Sequence, residues 1–190
     1  MSALAPTPKA RNDVELMAAV AARDPAAQRE ALTRLGGRVR KVTGLLCRND
    51  ADADDAAQQA LLAILKSARG FRIETSLERW AERITVRTAL RASRRERARR
   101  HLLERWLAPN RPAFGEAANG EPLGLDALFE RLSPERRHAF VLHHGLGYTI
   151  DEIAELSDTP VGTVKDRLVA ARRELRSLLE RESRRSGGAR

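Results

Sequence analysis

A single cysteine, Cys47, stands in the 190 residues of this chain. One thiol builds neither a disulfide framework nor a cysteine-based zinc site, and it suits a reducing cytosol. Aromatic residues make up only 4% of the sequence, so a core must be assembled from Leu, Val, Ile and Ala. The alternating Val-Thr-Tyr stretches of half-buried strands are scarce, while the helix formers Ala, Leu, Glu and Arg abound. No run approaches the ~18 apolar residues that span a bilayer. The opening MSALAPTPKARND lacks the apolar stretch of a signal peptide. Signatures of catalysis are missing as well: there are no P-loop glycines, paired carboxylates or nucleophile beside a base. His138, His143 and His144 have neither acid nor cysteine partners nearby in the sequence. The expectation is an all-α, cytoplasmic protein that is not an enzyme, holds no metal or cofactor and does not enter a membrane.

What the chain has is positive charge. Lys and Arg number 35 against 26 Asp and Glu, a formal net charge of +9. Such a balance points to a polyanion, most commonly nucleic acid, although arginine richness also follows from a GC-rich genome.

Residues 1–11 read as a loose tail. A first helical pattern covers Val14 to Ala22, and Asp24-Pro25 has the form of an N-cap followed by a first-turn proline. The next helix carries Leu32, Leu35, Val39, Val42 and Leu46 on one stripe, weakened but not ended by Gly36-Gly37. Asp50, Asp52, Asp54 and Asp55 open a third helix with Ala57, Leu61, Ile64 and Ala68 inward, because carboxylates suit the positive end of a helix. After the short loop Gly70 to Glu74, Thr75 and Glu78 have capping-box spacing and start a fourth helix with Leu77, Trp80, Ala81 and Ile84 inward. Arginine then dominates from Arg87 to Arg105, and the part between Ala92 and Arg100, where no apolar stripe survives, reads as a solvated helix end. Pro109, Pro112, Gly115, Gly120, Pro122 and Gly124 mark a linker. The reading is of two small helical domains, 12–103 and 125–182, joined by a flexible linker over 104–124, with a basic tail at 183–190.

In the C-terminal domain, Ser133-Pro134-Glu135 starts a helix, and after Gly145–Gly147 comes TIDEIAELSDTPVGTVKDRL. Ile150 and Ile153 face a core. Ala154 is small where a second helix crosses, and Asp158 fits a left-handed turn. Thr159-Pro160 opens the second helix. Val161, Val164, Leu168, Ala171, Leu175 and Leu178 repeat at three-four spacing, which leaves Gly162, Thr163, Lys165, Asp166 and Arg167 outward. Two crossed helices with a tight turn and a polar outer face make a helix-turn-helix, whose second helix enters a major groove. A plain helical hairpin with a charged face is the alternative.

The stretch from Leu132 to Leu179, with its PVGTVK core and arginine-rich helix, resembles the −35-reading domain of bacterial sigma factors of the extracytoplasmic-function (ECF) type. DADDAAQQALLAIL is similar to the same family's polymerase-binding helix, and GFRIETSLERWAERITVRTALRASRRER to its promoter-melting segment. The likeness covers about 150 residues in the family's order. Four departures stand out. Gln59 replaces the acid usual after Gln, Arg87 and Arg91 take the places of Asn and Asp, Ile64 lies where an aromatic is frequent, and Ser157 replaces a Leu.

The resemblance implies a sigma factor that binds core RNA polymerase, recognises the −10 and −35 elements of promoter DNA, helps melt the duplex, and is held by an anti-sigma factor. Asp54, Asp55, Gln58, Gln59 and Leu62 then contact polymerase, with helix capping as the alternative for the two acids. Phe71 stacks on an extruded base or else plugs the core, while Arg72, Arg79, Arg83, Arg87, Arg91, Arg94 and Arg95 follow the DNA backbone or form a solvated face. Pro160, Gly162, Thr163, Lys165, Asp166 and Arg167 read the −35 element, and Arg172 and Arg173 hold phosphates. Two other functions use the same residues: a stand-alone helix-turn-helix regulator, or a sigma mimic that sequesters an anti-sigma factor.

Overall fold

The computed structural model describes residues 12–107, 128, 129 and 131–187. The expected N-terminal tail, the linker beyond residue 107 and the last three residues of the basic tail lie outside the described residues. Among those described, every regular element is helical. The N-terminal domain comprises α1 (Asp13–Ala21), α2 (Pro25–Leu46), α3 (Asp50–Lys66) and α4 (Leu77–Leu107). The C-terminal domain comprises α5 (Pro134–Phe140), a wide helical turn over Val141–Gly145, α6 (Ile150–Ser157) and α7 (Val161–Gly187).

Helix starts follow side-chain chemistry. Asn12 and Glu15 close a capping box on α1, the Glu15 amide donating to Asn12 Oδ1 at 2.9 Å. Asp24 accepts from the Ala26 amide at 2.8 Å, with Pro25 at the first helical position as expected. In α3 the cap is Asn49, whose Oδ1 accepts from the Asp52 amide at 2.8 Å, with Asp50 and Asp52 in the first turn. The start of α4 differs from expectation. Ser76, not Thr75, accepts from the Arg79 amide at 3.2 Å, and Glu78 is drawn away to Arg34 at 2.8 Å. Both long helices also outrun the expected boundaries: α4 continues to Leu107 and α7 to Gly187.

Ala27, Ala31, Leu35, Val39, Val42 and Leu46 form the buried stripe of α2, while Leu32 sits at its half-buried edge. The first core cluster joins α1 to α4 through Leu16, Met17, Leu35, Ile64, Leu77 and Ala81. Phe71 and Trp80 pack against it and meet edge to face, ring centroids 5.4 Å apart.

The second cluster belongs to both domains. Val42, Leu46, Val86, Ala89 and Leu90 from α2 and α4 close on Leu142, Tyr148, Ile153, Leu156, Val164 and Leu168 from the C-terminal domain. The two domains are docked on one another through this cluster, a relation that the expected flexible linker leaves open. Polar contacts finish the seam. Arg137 donates to the carbonyls of Leu45 at 3.2 Å and Cys47 at 2.8 Å, and His138 Nε2 lies 2.9 Å from the Leu46 carbonyl. These carbonyls end α2 and have no partner within it. A carbonyl only accepts, so His138 carries its proton on Nε2. Burial, reinforced by Arg137, Arg167 and Arg97, pushes this imidazole down to about 4. Cys47 is buried beside the seam, its thiol pushed up to about 11 by burial and then by Asp52.

Candidate nucleic-acid interface

The helix-turn-helix is built by three local devices. Thr149 and Glu152 form a capping box: the Glu152 amide donates to Thr149 Oγ1 at 3.2 Å and the Thr149 amide to Glu152 Oε2 at 2.9 Å. Asp158 adopts the left-handed conformation, φ 48° and ψ 54°, and the Thr159 amide reaches back to the Ala154 carbonyl at 3.0 Å. The chain then turns into α7, where Val164, Leu168, Ala171 and Leu178 are buried. Thr149-x-x-Glu152 was a legible start signal in the sequence that periodicity alone passes over.

On the opposite side of α7, Gly162, Lys165, Asp166, Arg172 and Arg173 are exposed, and Pro160 is exposed just before it. Thr163 is half-buried. Val161 was expected inward but is 37% exposed, because no preceding helical turn covers the first residue of α7. Val169, absent from the expected contact set, is 64% exposed. Its signal was its place outside the buried register, one turn beyond Lys165. Lys165, Asp166, Val169 and Arg173 therefore share a face that combines cation, anion and a methyl-bearing surface, the chemistry that reads base edges. Arg172 sits by His144, Nη2 to Nε2 3.1 Å.

Arg167 does not join that face. It is half-buried and donates to Thr159 Oγ1 at 3.3 Å. Burial lowers its pKa, and so do Arg94 and Arg97 across the seam.

The arginines of α4 divide into two sets. Arg79 donates to Glu82 at 2.9 Å, the Leu146 carbonyl at 3.3 Å and Glu152 at 3.3 Å, and its guanidinium lies 3.7 Å from the centre of the Tyr148 ring. Arg83 reaches Glu152 at 3.3 Å and Glu155 at 3.0 Å, and Arg87 reaches Glu155 at 2.6 Å. Arg94 donates to the Ser157 carbonyl. These four were expected on a DNA path and are engaged by the C-terminal domain. The cause is register: Arg79, Arg83 and Arg87 recur one turn apart on α4, and Glu152 and Glu155 recur one turn apart on α6. Beneath them Glu82 is fully buried, paired with Arg38 and Arg79. The adjoining Tyr148 hydroxyl is buried, and its pKa is raised by burial and then by Glu82. The Glu152 carboxyl is held below its ordinary value by the Thr149 amide, then by Arg79. Arg72, Arg91 and Arg95 face solvent. Phe71 is half-buried against Trp80, the core-plug arrangement.

On α3, Asp54, Asp55, Gln58, Gln59 and Leu62 are all exposed, and Leu62 is 56% accessible. Asn49, Asp50 and Asp52 supply the cap and the first-turn acids of that helix, so Asp54 and Asp55 are left to a surface of mixed acid, amide and apolar character. No helix among the described residues is long and apolar enough to cross a membrane. Nor do three or more His, Cys, Asp or Glu residues gather there in a metal-holding group.

Two family models match the chain. Residues 31–99 match the family model for Sigma-70 region 2, and residues 123–175 match that for Sigma-70 region 4. The chain is 33% identical over 173 residues to the ECF RNA polymerase sigma factor SigM of Mycobacterium tuberculosis, covering 89% of this chain and 85% of that protein. It is 29% identical over 147 residues to the ECF RNA polymerase sigma-E factor of Escherichia coli K12, covering 70% of this chain and 77% of that one. Among solved structures, the fold resembles that of the sigma factor RpoE of Bartonella quintana, determined in complex with the anti-sigma factor NepR. There the TM-score is 0.58 at 23% identity, over 80% of this chain and 96% of that one.

Proposed function

This chain belongs to the ECF sigma factors of RNA polymerase, and from that premise we propose how its own residues divide the work of promoter recognition. The exposed face of α3, Asp54, Asp55, Gln58, Gln59 and Leu62, docks on core polymerase, acid and amide groups meeting a basic surface around an apolar centre. Pro160, Gly162, Thr163, Lys165 and Asp166, with Val169, meet the −35 element, and Arg172 and Arg173 grip its phosphates. Arg72, Arg91 and Arg95 follow the −10 strand, and Arg79, Arg83, Arg87 and Arg94 join them once the C-terminal domain releases them. Phe71 completes that site only if it leaves Trp80. Arg167 serves the seam between the domains before it serves DNA. An anti-sigma factor is a partner on the strength of the likeness to RpoE, which was solved with one.

The observation that carries this reading is the exposed strip Lys165, Asp166, Val169 and Arg173 on a second helix entered through the left-handed Asp158. Neither the strip nor the α3 face performs chemistry; both position the polymerase that does. Reconstituted transcription with purified core polymerase tests it. The expected result is initiation from a cognate promoter that is lost in the Asp54→Lys, Asp55→Lys double variant and in Lys165→Ala, with each variant folded by circular dichroism. Equal DNA binding with and without core, and no transcripts, would show a stand-alone regulator instead. Tight binding to an anti-sigma factor with neither activity would show a mimic.

A further inference from the structure

The seam between the domains forms a partly open cavity of about 320 Å³, walled by α4 on one side and by α5, α6, the turn and α7 on the other. Three guanidinium groups line it: Arg94 and Arg97 from the N-terminal domain, and Arg167 from the C-terminal one. Like charges brought together repel, and Arg167 registers this, with its pKa lowered by burial and then by Arg94 and Arg97. Two acids line the same space, Glu135 and Asp158. Arg97 holds Glu135, and Asp158 is exposed at the turn. Arg94 and Arg167 meet only neutral oxygens among the described residues, the Ser157 carbonyl and the Thr159 hydroxyl. A guanidinium has five N–H donors in a fixed fork, so each keeps donors to spare.

We propose that this cavity is a binding site for a small phosphorylated anion of the pyrophosphate class. Arg94, Arg97 and Arg167 hold it, the Ser93 and Thr159 hydroxyls assist, and the anion ties the two domains together. Three guanidinium forks around one cavity match the oxygens of a multiply charged phosphate better than those of a lone carboxylate, which one or two forks satisfy. The volume also exceeds what a carboxylate fills. Because the walls come from different domains, the ligand binds only the docked arrangement and shifts the population toward it. His138, which lines the same cavity, is neutral at physiological pH and neither adds to nor cancels the charge.

The site shares Arg94 with the proposed −10 path, but its test needs no polymerase and so fails or succeeds separately from that reading. The full-length chain is titrated with inorganic pyrophosphate by calorimetry at constant ionic strength, in parallel with thermal unfolding. The expected result is one saturable site per chain and a raised unfolding midpoint. Arg97→Gln should weaken binding about tenfold. Glu135→Gln, which frees Arg97, should tighten it several-fold and so keeps the test decisive if Arg97→Gln folds poorly. Arg29→Gln and Glu30→Gln make the same charge changes on α2 outside the cavity, and should bind within twofold of the parent. No saturable heat in the parent, or an Arg29→Gln variant weakened as much as Arg97→Gln, overturns the proposal, the second outcome marking a diffuse attraction to a basic protein.

Discussion

Releasing the α6 acids from α4 should expose the arginines that this domain closure covers. In the Glu152→Gln, Glu155→Gln double variant, four ion-pair contacts disappear: Arg79 and Arg83 with Glu152, and Arg83 and Arg87 with Glu155. The carboxylates are 29% and 57% exposed, so water and salt screen them and each contact is weak. Pairs of this kind contribute on the order of 0.2–1 kcal/mol each. Their loss together should cost the docked state about 1–2 kcal/mol, roughly a 5–30-fold rise in the open fraction. Glutamine keeps the capping box at Thr149, because an amide oxygen still accepts there, so α6 should persist. When the competent state is a minor one, apparent affinity rises in proportion to its population. A single-stranded DNA oligonucleotide, titrated by fluorescence anisotropy at fixed salt, should therefore bind about 5–30 times more tightly to the double variant. Removing two acids also makes the chain more basic, so Glu30→Gln, Glu180→Gln serves as the control. Unchanged binding in the double variant, or an equal gain in the control, would refute the idea that closure masks these arginines.

Other expectations follow from packing and titration. Asp158→Val places a β-branched residue at φ 48° and should cost about 1–2 kcal/mol, read as a lower urea midpoint. Leu142→Ala empties a fully buried position in the shared cluster and should cost on the order of 2–5 kcal/mol, and a loss under about 1 kcal/mol would mean the domains do not share that core. His138 titrates at about 4 in the fold against roughly 6.5 in the unfolded chain. The unfolded chain binds the extra proton between those values, so the stability contributed is complete above the upper one and is lost as pH falls toward the lower. The loss should reach up to about 2 kcal/mol, allowing for screening of a half-buried residue, and His138→Gln should flatten that slope in unfolding measured from pH 7 to pH 4.

Much of this architecture is legible in the chain because it depends on local rules. The proline after Asp24, the alternation around Val164 and Leu168 and the turn at Asp158 each answer to nearest neighbours, and each stands where the pattern puts it. The α3 face is legible for the same reason, since acid and amide residues one turn apart on an amphipathic helix have nowhere to go but solvent. Relations between distant parts are what the pattern hides. Arg83 looks like any exposed arginine until α6 arrives with Glu152 and Glu155, nearly seventy or more residues later. Arg167 sits at an outward register position, yet its long side chain bends to Thr159 within the seam. Phe71 can stack or plug on composition alone, and only the fold shows that it meets Trp80 edge to face.

Cys47 carries a consequence of its own. A thiol reacts with peroxide or a disulfide as its thiolate, and one held at about 11 in a buried position offers almost none of that form at neutral pH. It is the chain's only cysteine, so no resolving partner is at hand to trap an oxidised sulfur. Cys47 is thus poorly suited to sense an oxidant directly.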